Sequence, residues 1–187
     1  RRNVNLKILL FNNRIYGLTK GQYSPTSEVG KITKSTPMGS LDAPFNPVSL
    51  AIGAEASFVA RTVDSDRKHL TDVLRQAAAH SGTALVEIYQ NCNIFNDGAF
   101  EVLKDKQQAE EAVIRLEHGR PITFGTDQSK GVVRDPVTGD LKVVAVTDDN
   151  RAQILVHDAH SPSPTTAFAL SRLADPDTLH HTPIGVF

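Results

Sequence analysis

With 187 residues, 40% hydrophobic and 22% charged side chains, and no low-complexity tract, the chain suits one sizeable α/β domain with or without a small appendage, and neither a disordered nor a fibrous protein. No apolar run approaches the roughly 18 to 20 residues that cross a bilayer, and the first residues hold no signal-like stretch, so no membrane association and a cytoplasmic location are expected. A net charge of −1 argues against a general nucleic-acid binder, and the single cysteine, Cys92, excludes an internal disulfide or a Cys₂His₂ or Cys₄ site built by this chain alone.

Leu6-Lys7-Ile8-Leu9-Leu10-Phe11 is a nearly continuous apolar run, which predicts a strand of a parallel sheet buried on both faces. Such a strand needs neighbours that the few preceding residues do not supply, so the chain reads as the later part of a domain. From Asn12 to Pro44 there is no sustained period, and Gly, Pro, Ser, Thr and Asn abound; an ordered loop of that length is usually functional. Asn46-Pro47 starts a helix through Ala54, with a capping side chain and proline at the first helical position. Phe58–Val63 reads as a strand. Asp66 caps a helix over Arg67–His80, whose Leu70, Val73, Leu74, Ala77 and Ala78 make one buried face before Gly82 ends it. Ala84–Tyr89 is another buried strand.

Strand, loop, helix, strand, helix, strand is the rhythm of a doubly wound sheet, and ligands of such sheets bind beyond the carboxyl ends of the strands. The loops after Phe11 and after Tyr89 both leave from there. Beyond Asp97 the pattern predicts a charged helix over Glu101–Glu117, short strands over Pro121–Gly125, Gly131–Arg134, Leu141–Thr147 and Ile154–Asp158, and a last helix over Thr165–Ala174.

Charge is unevenly distributed. Residues 1–40 carry seven Lys or Arg against Glu28, a balance of +6, while the remainder sums to −7. The basic segment is where an anionic ligand would sit, although Arg1, Arg2, Lys31 and Lys34 equally suit a solvated basic face. Within that segment Asn13-Arg14-Ile15-Tyr16-Gly17-Leu18-Thr19 brings a carboxamide, a glycine turn and a hydroxyl to the end of a buried strand. Magnesium takes hard oxygen ligands together with phosphate oxygens. Asn13 offers one such oxygen, the Ile15 carbonyl a second if the chain turns sharply, and Gly17 lets the backbone approach a phosphate closely. His157, His160, His180 and His181 fit no zinc spacing and read as surface residues, and Gly17-Leu18-Thr19-Lys20-Gly21 is not a complete Walker loop.

The stretch Asn13 to Gly21 resembles the second half of the thiamine diphosphate motif in the β subunits of 2-oxoacid:ferredoxin oxidoreductases, in particular the 2-oxoglutarate branch. The resemblance is good to about Phe100 and looser beyond. It implies that Asn13 and the Ile15 carbonyl bind Mg²⁺, that Gly17 and Leu18 border the diphosphate, and that Thr19 lies beside it. Pyruvate-acting relatives carry Asn-Thr-Gly-Gly where this chain has Leu18-Thr19-Lys20-Gly21, so the resemblance implies that Lys20 pairs with the distal carboxylate of 2-oxoglutarate; facing solvent is the plainer role for a lysine. Tyr89-Gln90-Asn91-Cys92-Asn93-Ile94-Phe95-Asn96-Asp97 resembles the loop that supplies one ligand to a [4Fe-4S] cluster, although a lone cysteine is commonly just a small buried apolar residue.

The family's Gly-Asp-Gly-Asp element and three further cysteines have no counterpart in this sequence. The expectation is therefore the C-terminal part of a thiamine diphosphate-binding α/β fold, doubly wound and mostly parallel, over residues 1–100. A small α+β extension over 101–187 would pack on the sheet or on a partner subunit. The implied activity is oxidative decarboxylation of 2-oxoglutarate to succinyl-CoA, with thiamine diphosphate, Mg²⁺ and a [4Fe-4S] cluster as cofactors. Coenzyme A, ferredoxin and an α subunit would be its partners, and no activity is expected of this piece by itself. The alternatives are a subunit acting on pyruvate or another 2-oxoacid, and a non-catalytic module for subunit interaction.

Overall fold

The computed structural model describes residues 2–187. β1 (Lys7–Asn12) runs into a small hairpin, β2 (Ile15–Tyr16) and β3 (Gln22–Tyr23), and then a long loop that leads to α1 (Pro47–Gly53). The start of α1 follows from its first residues: the Asn46 side chain accepts a hydrogen bond from the Ser49 amide at 3.0 Å, and Pro47 occupies a position where no amide is needed. Next come β4 (Phe58–Val63), α2 (Arg67–Ala79), capped by Asp66 on the His69 amide, and β5 (Ala84–Tyr89). The remainder holds α3 (Lys106–Ala112), β6 (Val113–Leu116), β7 (Thr123–Phe124), β8 (Lys130–Arg134), β9 (Leu141–Ala145), α4 (Thr165–Ser171) and β10 (Thr182–Val186).

Five strands form one sheet in the order β1-β5-β4-β10-β6, with every neighbouring pair parallel except β10 with β4. Alternation along the strands sorts their side chains. Ala60, Ala84, Val86 and Ile88 pack under Val73 and Ala77 of α2, while Val59 and Leu85 meet Val48, Ala51 and Ile52 of α1 on the other face. A separate three-stranded antiparallel sheet, β7-β8-β9, closes with α4 over a core of Ile114, Ile122, Phe124, Val132 and Leu170.

Four expectations change. Among the described residues β1 pairs with β5 alone, and Ile8, Leu9 and Phe11 are exposed, whereas the apolar run predicted a strand buried on both faces. The helix foreseen over 101–117 is a short 3₁₀ turn and α3, and it ends where Val113-Ile114-Arg115-Leu116 becomes β6. A β-branched pair favours a strand, and burying Ile114 completely, worth about 1.5 to 3 kcal/mol, requires it. Residues 154–158 make only isolated bridges, Val133 with Ile154 and Pro121 with Val156. Finally, the segment after residue 100 does more than pack on the sheet, since it supplies β6 and β10. β10 is hidden in the sequence by Pro183 and Gly185. Gly185 has φ +122°, and a Cβ there would lie 2.7 Å from the Leu116 carbonyl oxygen, so glycine is what lets β10 lie against β6.

The sheet also carries charge in its interior. Arg61 on β4 and Glu87 on β5 are register partners, 2% and 0% exposed, joined by Arg61 Nε to Glu87 Oε2 at 2.7 Å. Asn12, the last residue of β1, donates to Glu87 Oε1 at 2.8 Å. Burial works against the Arg61 charge, but Tyr89 and Glu87 more than offset it and hold its pKa above the ordinary arginine value. Burial likewise pushes the Tyr89 hydroxyl up to about 12, against the opposing influence of Arg61. Removing one partner of such a pair strands the other charge. Glu87→Gln is therefore expected to cost about 3 to 5 kcal/mol and to lower the melting temperature by on the order of 10 °C. The double replacement Arg61→Met with Glu87→Leu should cost less than either single change. Thermal unfolding of Glu87→Gln, Arg61→Met, Glu87→Leu and the double variant reads this directly, and a single-residue variant melting with the wild type would refute it.

Candidate functional site

Because β1 and β5 run parallel with Asn12 opposite Tyr89, the loops that follow them leave the same edge of the sheet side by side. Asn13 begins the first of these loops. Its Oδ1 accepts from the Ile15 amide at 3.2 Å, and the Arg14 amide in turn donates to Asn12 Oδ1 at 3.1 Å, so two consecutive asparagines fold the chain back on itself. Between them and Ile15 the backbone passes through Arg14 at φ +55°. That left-handed conformation costs a non-glycine residue about 1 to 2 kcal/mol and must be held by its surroundings. Ser27 Oγ donates to the Arg14 carbonyl at 2.6 Å, while the Arg14 side chain, 4% exposed, reaches the carbonyls of Thr26 at 3.0 Å and Pro176 at 2.6 Å.

Ile15 is buried, and Gly17 to Gly21 form the turn of the β2–β3 hairpin. Thr19 Oγ1 donates to the Tyr16 carbonyl at 3.2 Å, and the Gly21 amide donates to the same carbonyl at 3.0 Å. Leu18 is 98% exposed, and Thr19 and Lys20 are exposed beside it. The structure thus brings Asn13, Ile15, Gly17, Leu18, Thr19 and Lys20 together in one compact turn.

Cys92 lies in the neighbouring loop, half-buried and unpaired with any other cysteine. The Asn96 amide donates to the Cys92 carbonyl at 3.0 Å and closes this loop into a tight turn. The loop rests on the hairpin turn: the Phe95 ring lies against Gly17 and Gly21, where a Cβ on Gly21 would come within 3.2 Å of it. Asn96, 6% exposed, donates from Nδ2 to the Asn13 carbonyl at 2.9 Å and to the Arg14 carbonyl at 3.4 Å, and its Oδ1 accepts from Lys31 Nζ.

A cleft of about 470 Å³ opens between the two loops, walled by Ile15, Ile94 and Phe95 and rimmed by Lys20, Lys31 and Lys34. Its cationic rim suits a small anion with an apolar part. A polar cavity of about 170 Å³ below the long loop is lined by Asn12, Arg14, Asn46, Arg61, Glu87 and Tyr89.

The donor set tests which group the turn fits. Asn13 Oδ1 and the Ile15 carbonyl are neutral hard oxygens that suit Mg²⁺ bound jointly with phosphate oxygens and suit zinc poorly. No group of three or more His, Cys, Asp or Glu arranged for a metal occurs among the described residues. A [4Fe-4S] cluster takes four thiolates as a rule, and the chain has one cysteine, so it can contribute at most one cysteine thiolate. The histidines take no part: His157 is buried rather than on the surface, its Nε2 lies 2.8 Å from the Val186 carbonyl, and burial lowers its pKa.

Sequence reasoning did not single out Asn12, Ser27 or Asn96, whose residue types are ordinary in loops. The two charged residues inside apolar strands, Arg61 and Glu87, were a signal that could have been read, since a buried charge demands a partner.

Residues 1–88 match the C-terminal TPP-binding domain of thiamine pyrophosphate enzymes. Over all 187 residues the chain is 62% identical to 2-oxoglutarate oxidoreductase subunit KorB of Mycobacterium tuberculosis, covering 49% of that protein. It is 33% identical over 158 residues to the 2-oxoacid:ferredoxin oxidoreductase subunit beta of Saccharolobus solfataricus, a match spanning 80% of this chain and 50% of that one. The fold superposes on a 2-oxoglutarate:ferredoxin oxidoreductase from Magnetococcus marinus, solved with 2-oxoglutarate, coenzyme A and succinyl-CoA bound. The TM-score is 0.64 at 24% identity, over 99% of this chain and 47% of that one, a likeness of fold. The chain spans about half the length of these relatives.

Glu28 ties the lysine rim to the strained turn, 3.0 Å from Lys31 and 3.7 Å from Arg14. Burial pushes its carboxyl up, but its own backbone hydrogen bond, Lys31 and Arg14 outweigh burial and hold the pKa below the ordinary 4.5. A carboxylate depressed in this way stabilises the fold above about pH 4.5 and loses that effect as pH falls through its lower folded value. Glu28→Gln should melt below the wild type at pH 7, with the gap closing as pH is lowered past 4.5. Melting curves between pH 7 and 3 check this, and a gap that is constant with pH would count against it.

Proposed function

We propose that this chain, a homologue of the β subunits of 2-oxoacid:ferredoxin oxidoreductases, forms the cofactor-anchoring part of a 2-oxoglutarate:ferredoxin oxidoreductase that makes succinyl-CoA and passes electrons to ferredoxin. The observation that carries the reading is the compact turn at the end of β1, where Asn13 Oδ1 accepts from the Ile15 amide and Arg14 takes a left-handed backbone conformation, at the sheet edge where ligands of α/β folds bind.

In this reading Asn13 Oδ1 and the Ile15 carbonyl hold Mg²⁺, Gly17 and Leu18 border the diphosphate, and Thr19 lies beside it. Thiamine diphosphate, when bound, supplies the electron sink that lets a bond next to a carbonyl break. The chain's own residues fix position and charge. Asn12, held by Glu87 and Thr26, sets the direction in which the turn leaves the sheet. Lys20, exposed on the rim of the cleft, pairs with the distal carboxylate of 2-oxoglutarate, and Lys34 adds positive charge to that rim, where Lys31 is paired with Glu28. Leu18 and Ile94, 98% and 79% exposed, offer apolar contacts suited to a covering α subunit and to coenzyme A beside it. Cys92 is assigned one thiolate of a [4Fe-4S] cluster. The other thiolates of such a cluster lie outside this chain.

Two substitutions test the reading in the assembled enzyme. Asn13→Leu should raise the Mg²⁺ concentration needed for thiamine diphosphate binding by tenfold or more in titration calorimetry; unchanged binding sinks the metal assignment. Lys20→Gly removes a charge-assisted hydrogen bond worth about 1.5 to 3 kcal/mol, so kcat/KM for 2-oxoglutarate should fall roughly tenfold to a hundredfold while that for pyruvate does not fall. Equal losses on both substrates would remove Lys20 from the substrate site.

A further inference from the structure

We propose that Asn96 is a positioning residue for the Asn13–Ile15 metal turn, so that the Cys92 loop and that turn move as one conformational unit. The inference rests on the cofactor reading above and extends it to a residue in a different loop, 83 positions along the chain from Asn13.

The turn has two peptide oxygens that must be held away from the metal for the Ile15 carbonyl and the Asn13 side chain to face it. They are the carbonyls of Asn13 and Arg14. Ser27 holds the second from one side, and Asn96 Nδ2 bridges both, at 2.9 and 3.4 Å. Among the described residues Asn96 is the side chain that donates to the Asn13 carbonyl. Its own orientation is fixed, because Lys31 Nζ donates to Oδ1 and thereby turns the amide nitrogen toward the turn. On the other side its main-chain amide closes the Cys92 turn, and the preceding ring, Phe95, covers Gly17 and Gly21. A single buried carboxamide thus ties a strained metal turn to the cysteine loop. By reciprocity, whatever fixes one fixes the other.

Asn96→Asp keeps size and the acceptor toward Lys31 but replaces the donor with an oxygen aimed at two carbonyls, so it separates hydrogen bonding from packing. In the assembled enzyme containing this chain, the Mg²⁺ concentration for half-saturation of thiamine diphosphate binding should rise about tenfold. Amide hydrogen exchange gives the second readout: Mg²⁺ with thiamine diphosphate should slow exchange over residues 91–98 in the wild type and not in Asn96→Asp. Phe95→Leu retains the donor and should weaken binding by threefold or less. Should Asn96→Asp fail to assemble, Asn96→Ser loses the reach to the Asn13 carbonyl without adding charge and is expected to show the same two losses. If Asn96→Asp or Asn96→Ser binds the cofactor with wild-type Mg²⁺ dependence and shows the same protection of 91–98, the positioning role is overturned while the cofactor reading stands. Wild-type protein that binds no thiamine diphosphate in the presence of Mg²⁺ would instead overturn both.

Discussion

The ion pair between Arg61 and Glu87 is the constraint on which the architecture of the candidate site depends. Taking two charges out of water costs several kcal/mol for each, and their attraction repays this only when the geometry is good and the remaining polar atoms are satisfied. Glu87 has two oxygens to satisfy. Arg61 takes one and Asn12 Nδ2 the other, which fixes the side chain at the end of β1. Asn12 then has an oxygen to spare, and that oxygen accepts from the Arg14 amide and from Thr26 Oγ1. A run of hydrogen bonds therefore leads from the middle of the sheet into the long loop. Rigidity passes along it to a segment that would otherwise have little reason to be ordered, and an apolar pair at 61 and 87 would pack as well without delivering it.

The same logic explains how the 23-residue loop between β3 and α1 stays folded without regular structure. Its backbone groups find partners inside the loop or in the tail of the chain: Gly30 and Ser40 bond each other's neighbourhood, Phe45 donates to the Pro25 carbonyl, and the Val29 amide reaches Asp177. Arg14 spans the longest of these gaps, from the turn after β1 to Pro176. The segment after β9 thus stabilises the turn that the first strand begins, in addition to lending β10 to the sheet.

Much of this was legible in the sequence where the determinants are local. Asn46-Pro47 and Asp66 announce their helices because a cap acts within three residues, and the apolar face of α2 repeats with the period of a helix. The compact turn from Asn13 to Gly21 is legible for the same reason: asparagines and glycines at this spacing fold the chain back on itself. β6 was misread because the apolar residues of 109–116 satisfy a helical period while Val113 and Ile114 favour a strand, and only pairing with a strand 69 residues away decides between them. β10 was missed because proline and glycine ordinarily argue against a strand interior, and the close approach to Leu116 that requires Gly185 is a tertiary fact. Asn96 was invisible for a like reason, since nothing near it in the chain distinguishes an asparagine that bridges two loops from one that faces water.

A last consequence concerns charge at the metal turn. If Asn13 and the Ile15 carbonyl are ligands, the turn itself supplies no negative charge to the ion, and the charged residues lining the adjoining cleft are lysines, of which Lys31 is paired with Glu28. Ligand charge count sets the affinity of an oxygen site for a divalent cation, so a neutral pair of oxygens beside a cationic rim holds bare Mg²⁺ weakly. In the proposed reading the diphosphate would supply the missing charge, which would make metal and cofactor binding strongly interdependent. A carboxylate at position 13 would bind the ion more tightly in the absence of cofactor and would weaken that interdependence. It would also partly cancel the positive field that an anionic substrate meets at Lys20. In the proposed reading, a carboxamide is thus the residue type that would reconcile a divalent ion, an anionic cofactor and an anionic substrate within one short turn.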